Sequence, residues 1–509
     1  MRILTLSVAA LVAAPLAAPL AAQSISTTAS REPSWKKAEA EVAARRSTPG
    51  AGQRAKNVII FIGDGMGVST ITAARIYEAQ KRAKAAGGSY PGFEGGEENL
   101  LSFEKLPNRA LVKTYNTNAQ VPDSAGTASA ITTGTKTRIG VLGILPGQGA
   151  DTCRTPAQFP KTLGELAHEK GMGLGIVTTT RITHATPAAM FAHSPSRDWE
   201  GADRAFPAEE RKTGCADIAS QLVGFRGGAD VVLGGGLGRF RPRDAGGSRD
   251  DGRDLIAEWQ KAWPQGRFVE TAAPFRALDP KAAEPVFGLF HEDHLSFAFD
   301  ADRAKEPSLA EMAVFAAKKL EARAKRSGKG YVLMVEGGRI DHAHHMTNAY
   351  RALDETAELS LAVEEVLKSV DLKETLVLVT ADHSHVFTMS GYPPRANPIL
   401  GLLRPIKGGE GGSATDANGN VLDQLGRPMT TLGYMNGPLE VRSGGKVLNS
   451  TREPTDPDFL QPKAFLVSSE THGGEDVALF GAGPGSALVS GTVEQNSIFY
   501  IMAHALGWK

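Results

Sequence analysis

Residues 331–345 constrain the fold of this chain more than any other stretch. Tyr331, Val332, Leu333, Met334 and Val335 form an unbroken apolar run, which predicts a strand buried on both faces. The run stops at Glu336, two glycines follow, and Asp341 and His345 then stand four residues apart. On a helical turn that spacing puts both side chains on one face, as ligands lie in two-histidine zinc helices. A strand that ends at an acid, followed by a helix carrying Asp-x-x-x-His, is how a metal site is hung on an α/β sheet.

The same pattern recurs along the chain. Apolar runs at 57–62, 173–178, 230–233 and 375–379 alternate with helical stretches at 69–84, 161–170, 308–326 and 348–370. This predicts an α/β fold, a large, mostly parallel sheet covered by helices on both faces. Ligand sites on such sheets lie at the carboxyl ends of the strands. Asp64, Glu336 and Asp382 each stand just past an apolar run. Asp64, in Gly63-Asp64-Gly65-Met66-Gly67, reads as a helix cap or as a ligand approached closely through its glycines. Asp382 and His383 can face one ion only where the strand has given way to a turn, because strand neighbours point to opposite faces. His472, in Glu470-Thr471-His472-Gly473-Gly474 before a strand at 477–480, reads as a structural histidine or a ligand. Asp64, Glu336, Asp341, His345, Asp382, His383 and His472 together suffice for more than one ion. Zinc takes histidine and carboxylate while magnesium prefers oxygen, so a mixed site fits.

Lys+Arg and Asp+Glu balance at 56 each in 509 residues, which gives no reason to expect nucleic acid or an anionic membrane as partner. Residues 1–22 read as a signal peptide, with Arg2, an alanine-rich apolar run and small residues before a cut near Ala22. The alternative, an uncleaved anchor, is opposed by Pro15 and Pro19. No later run is apolar for long enough to span a bilayer. The expected mature protein is exported, periplasmic or extracellular, with no membrane anchor. Cys153 and Cys215 allow one disulfide or two buried thiols. Residues 23–56 are an N-terminal extension whose helix, from Ser34 to about Arg46, packs on its own chain or on a second subunit. Residues 57–390 and 463–509 form the α/β domain. Residues 391–462, rich in Gly and Pro without sustained periodicity, are an irregular insertion, with the sheet resuming near Ala464.

Ser124, in Val121-Pro122-Asp123-Ser124-Ala125-Gly126-Thr127, reads as part of a helix start with Asp or Ser as cap. A serine at a helix N-terminus also suits a phosphoryl group, because free N–H groups and the helix dipole favour anions. A neighbouring zinc would lower its pKa and make it a nucleophile.

At this point the chain resembles the alkaline phosphatase family, nearer its animal branch than the enterobacterial one. The matching pieces are Gly63-Asp64-Gly65-Met66-Gly67, Pro122-Asp123-Ser124-Ala125-Gly126-Thr127-Ala128 and Thr183-His184-Ala185-Thr186-Pro187-Ala188. Glu336-Gly337-Gly338-Arg339-Ile340-Asp341-His342-Ala343-His344-His345, Thr380-Ala381-Asp382-His383 and Glu470-Thr471-His472-Gly473-Gly474 complete them, in family order. The resemblance implies hydrolysis of small-molecule phosphate monoesters through a phosphoserine at Ser124. It implies two zinc ions, one held by Asp341, His345 and His472, the other by Asp64, Asp382 and His383 beside Ser124. Asp64, Thr186 and Glu336 would hold one magnesium. Arg197 would grip the phosphate and Asp123 would steer Arg197. His184 and His342 stand where enterobacterial enzymes carry Asp and Lys, which implies adjusted magnesium and phosphate affinity. The resemblance further implies a Cys153–Cys215 bridge, a homodimer, and a crown-like role for residues 391–462. The Phe-Glu pair of the animal calcium site reads Phe290-His291 here, so the acid is missing and calcium is doubtful. The rivals are a phosphodiesterase of the same superfamily, a sulfatase, and a catalytically silent metal- or phosphate-binding protein. A diesterase should lack the set of Ser124, Arg197 and magnesium ligands, a sulfatase needs its own Cys or Ser signature, and a silent binder needs a defect in the ligands.

Overall fold

The computed structural model describes residues 30, 32–87, 95–147, 153, 159–225, 228–406 and 414–508. The expected signal peptide, 1–22, lies outside the described residues. Among the described residues, ten strands form one sheet. Eight are β1 (Asn57–Gly63), β2 (Asn108–Lys113), β3 (Gly173–Arg181), β4 (Val231–Gly235), β5 (Arg267–Val269), β6 (Val286–Leu289), β7 (Tyr331–Gly337) and β8 (Thr375–Ala381). The others are Val477–Ala482 and Thr492–Glu494. The order across the sheet is Thr492–Glu494, β2, Val477–Ala482, β8, β1, β7, β3, β4, β6, β5. Val477–Ala482 runs antiparallel to both its neighbours, and every other pairing in this sheet is parallel.

Every residue of β1, β7 and β8 is buried, so both faces of the central sheet are covered. One set of helices, Val68–Ala85, Leu309–Ser327 and Ala349–Leu367, packs together, and Ser124–Thr133 packs with Leu163–Glu169 and Ser497–Ala505 in another. Their starts are written locally. Ser308 and Glu311 form a reciprocal cap, as do Thr162 and Glu165, and Asn348 caps the Ala349–Leu367 helix. The N-terminal helix, Pro33–Ala44, packs on its own chain. Trp35 lies 5.6 Å from the Phe499 ring and 4.8 Å from that of Tyr500. Cys153 and Cys215 are joined in a disulfide.

Two readings of the insertion change. The stretch is not wholly irregular, because Leu432–Gly437 pairs with Phe387–Met389 and Lys463–Leu466, and Glu440–Ser443 pairs with Lys446–Asn449. Gly444 and Gly445 turn that hairpin with φ of 57° and 76°, which suits glycine. Nor does the main sheet resume near Ala464. Lys463–Leu466 is a side strand of the small sheet, with Ala464, Phe465 and Leu466 exposed, and the main sheet resumes at Val477. Its apolar residues look strand-like, but the neighbouring strand they meet is Leu432–Gly437.

Candidate active site

The carboxyl ends of β1, β7 and β8 lie side by side, because β1 pairs with β7 on one edge and β8 on the other. Each strand therefore delivers its acid to one place: Asp64 after β1, Glu336 within the end of β7, Asp382 after β8. Gly65, at φ 71°, turns the chain after Asp64, and a Cβ there would collide with the His385 ring. β8 ends at Ala381, so Asp382 and His383 sit in a turn and can face the same side. His472 is carried by a two-residue strand that pairs with Ser384–His385.

Three groups of possible metal ligands result among the described residues: Asp341, His345, His385 and His472; Asp64, Asp382 and His383; and Asp64, His184 and Glu336. In the first, Asp341 Oδ1 lies 3.3 Å from His345 Nε2, 3.4 Å from His472 Nε2 and 2.8 Å from His385 Nε2. In the second, His383 Nε2 lies 3.3 Å from Asp64 Oδ1 and 3.4 Å from Asp382 Oδ2. The helix Arg339–His345 brings Asp341 and His345 to one face, as their spacing predicts.

The histidines are held in one orientation. His345 Nδ1 donates to Glu470 O (2.6 Å), His472 Nδ1 to Pro122 O (2.8 Å) and His383 Nδ1 to Ser384 O (3.2 Å). A carbonyl only accepts, so each Nδ1 carries the proton and each Nε2 lone pair faces the acids, the tautomer a metal ligand needs. Asp382 is fixed by Gly65 N (3.0 Å) and by Thr127 Oγ1 (3.1 Å).

Asp64, Glu336, Asp341 and Asp382 are all buried. Burial, then Asp382, Asp341 and Glu336, pushes the Asp64 carboxyl well above its usual range. Burial pushes Glu336 up to about 7, against hydroxyl bonds from Thr178 and Thr180. Burial raises Asp341 too, but His345, His385 and His472 outweigh it and hold that carboxyl well below the ordinary value. Asp64 Oδ2, Glu336 Oε1 and Thr186 Oγ1 are buried without a hydrogen-bond partner among the described residues. Crowded acids, unpartnered oxygens and oriented imidazoles fit divalent cations, which would supply the missing positive charge.

Ser124 opens the helix Ser124–Thr133, with Asp123 as its N-cap accepting from Gly126 N (3.1 Å). Ser124 Oγ lies 3.1 Å from His383 Nε2 and 3.3 Å from Asp64 Oδ1. Arg197 Nη1 donates to Asp123 Oδ2 (3.2 Å) and Nη2 to His184 Nε2 (3.0 Å). Because the guanidinium only donates, His184 Nε2 accepts and its proton sits on Nδ1, which has no partner among the described residues. His342 takes a bond from Arg339 Nη1 (2.9 Å), and its ring lies 5.4 Å from that of His184.

His385 and Glu470 were not singled out from sequence. His385 bridges Asp341 and Glu470, with Nδ1 2.6 Å from Glu470 Oε2. The signal was present, since His385 follows His383 and Glu470 precedes His472 by two residues, the spacing that shares a strand face. His294, whose ring lies 4.2 Å from that of His342, had no signal at all.

The family model described as alkaline phosphatase matches residues 55–508. The tissue-nonspecific alkaline phosphatase of Gallus gallus is 40% identical over 467 residues, 89% of this chain and 84% of that protein. The tissue-nonspecific isozyme of Homo sapiens is 39% identical over 472 residues, 89% and 83% of the two chains. Among solved structures, alkaline phosphatase from Thermus thermophilus superposes with a TM-score of 0.62 at 26% identity, covering 92% of this chain and 94% of its own. That of the Antarctic bacterium TAB5 gives 0.58 at 22% identity, over 90% and 100%, and speaks for the fold alone. The chain belongs to the alkaline phosphatase family, is a metal-dependent phosphomonoesterase, and stands with the animal-type branch.

Proposed function

We propose that the enzyme hydrolyses phosphate monoesters in two displacements at Ser124. Ser124 Oγ attacks phosphorus, the new O–P bond forms as the ester O–P bond breaks, and the alcohol leaves with a proton. Water then attacks the phosphoserine, releasing phosphate and restoring Ser124. The observation that carries this reading is Ser124 itself, buried at a helix N-terminus and within 3.3 Å of both Asp64 and His383. A cation held by Asp64, Asp382 and His383 beside Ser124 would lower the pKa of the hydroxyl, whose proton would pass to solvent. Arg197, steered by Asp123 and His184, holds two phosphate oxygens, and the helix N–H groups favour the same anion.

Asp341, His345 and His472 would hold one zinc, Asp64, Asp382 and His383 a second, and Asp64, Glu336 and Thr186 a magnesium, by the match of nitrogen and oxygen donors to each ion. When bound, these cations stabilise the charge on attacking and leaving oxygens. His184 and His342 adjust the surroundings of the magnesium and phosphate.

Replacing Ser124 with Ala tests the reading with a simple aryl phosphate at alkaline pH. The expected result is a loss of several orders of magnitude in turnover with metal content unchanged. Turnover close to wild type refutes the nucleophile.

The Cys153–Cys215 bridge suits an oxidising compartment, in keeping with export. Met435 and Leu439 of the 391–462 insertion, with Phe465 and Leu466 of the strand that follows it, are exposed apolar side chains, and we assign that surface to a second copy of the chain.

A further inference from the structure

The helix that carries Asp341 and His345 ends in a turn whose left-handed position is filled by Thr347, at φ 57°. Asn348 N donates to Ala343 O (2.9 Å) and Thr347 N to His344 O (2.7 Å), the paired bonds of a turn that ordinarily places glycine there. A β-branched residue in this conformation is an outlier, because its Cβ crowds the neighbouring carbonyl. Thr347 is fully buried, so the conformation is imposed by what surrounds it.

Those surroundings come from the insertion and the strand that follows it. Thr347 O accepts from Gln461 N (2.9 Å), and its Oγ1 accepts from Lys463 Nζ (3.4 Å). Its methyl group occupies space that Gly437 leaves open, where a Cβ would collide with Thr347 Cγ2. The next residue is gripped as well, since Asn348 Nδ2 donates to Pro457 O (2.8 Å) and Phe459 O (3.1 Å). Two residues upstream, His345 O accepts from Glu470 N (3.0 Å). Glycine would form this turn without strain. What threonine adds is a side chain that keys the turn into Gly437 and Lys463.

We propose that Thr347 is a positioning residue, through which the 391–462 insertion sets the placement of His345 and so the metal affinity of the Asp341–His345–His472 centre. This rests on the zinc reading given above. The test is zinc binding measured by competition with a chelator, on full-length wild type, Thr347→Gly, Gly437→Ala and the double variant. The centre is identified as the site lost in Asp341→Ala. Thr347→Gly is expected to weaken that site about 10-fold, the effect of a supporting contact on a metal ligand. The melting temperature of its metal-free form should change little, because relief of the strained backbone opposes the loss of the buried side chain. Gly437→Ala should weaken zinc in the wild-type background and much less in the Thr347→Gly background, since the collision it creates needs the threonine methyl. Affinity of Thr347→Gly within about twofold of wild type, or additive effects in the double variant, overturns the proposal. Wild type that binds no zinc overturns it together with the zinc reading, whereas zinc-binding wild type with an unaffected variant overturns this inference alone.

Discussion

Glu336 offers the sharpest test of the metal centre, because metal should reverse the sign of one substitution. The side chain is fully buried at the end of β7, with Oε2 bonded by Thr178 and Thr180 and Oε1 without a partner. Without cations its pKa stands at about 7 against 4.5 for the free group. A folded-state pKa raised above the unfolded one penalises folding once the group must ionise. The penalty is absent below the unfolded pKa, grows between the two values, and is complete above the folded one. At 1.36 kcal/mol per unit the full penalty is about 3 kcal/mol. In Glu336→Gln the amide carbonyl still accepts from the threonine hydroxyls, but the ionisation cost is gone. Chelated Glu336→Gln should therefore be more stable than chelated wild type by about 3 kcal/mol at about pH 8, and by nearly nothing at about pH 4. With metal restored the order should reverse, because the variant has lost a charged ligand while wild type has its charge compensated. Urea denaturation at both pH values, with and without chelator, reads all four cases. If the chelated variant gains nothing at the higher pH, or gains equally at the lower one, the account of Glu336 as a metal-compensated buried carboxylate is wrong.

Asp341→Ala should lose about one zinc per chain, read by elemental analysis, since Asp341 lies within reach of three imidazoles; full zinc occupancy would remove it from the ligand set. The disulfide closes 62 residues, so replacing Cys153 and Cys215 together by Ser should cost about 4 kcal/mol by the loop-entropy relation. A melting temperature matching that of the oxidised wild type would show the bridge to be without effect.

Much of the site could be read from the chain because its ligands sit at the ends of the strongest local signals. Asp64 and Asp382 follow, and Glu336 stands at the end of, fully buried strands that announce themselves as unbroken apolar runs. Asp341 and His345 share a helix face by spacing alone. Four strands of the main sheet were not expected, β2, β5, β6 and Thr492–Glu494, and their burial depends on neighbours far away in sequence. β2 alternates buried and exposed residues around Arg109 and Lys113, and β5 and Thr492–Glu494 are three residues each, too short for a period. Lys463–Leu466 carried a strand pattern but not the identity of the sheet it joins.

The sequence by itself determined the alternation of buried strands and helices, the acids at the strand ends and the family. Tertiary structure decided what local pattern cannot encode. β1 lies between β7 and β8, and that adjacency, made by segments hundreds of residues apart, brings three acids to one place. Pairing of His472 with His385 carries a glycine-rich turn into the metal centre. The conformation of Thr347 is likewise set from outside, by Gly437, Gln461 and Lys463. Local propensity acts over a few residues, whereas metal ligands and the groups that hold them are chosen by distance in space.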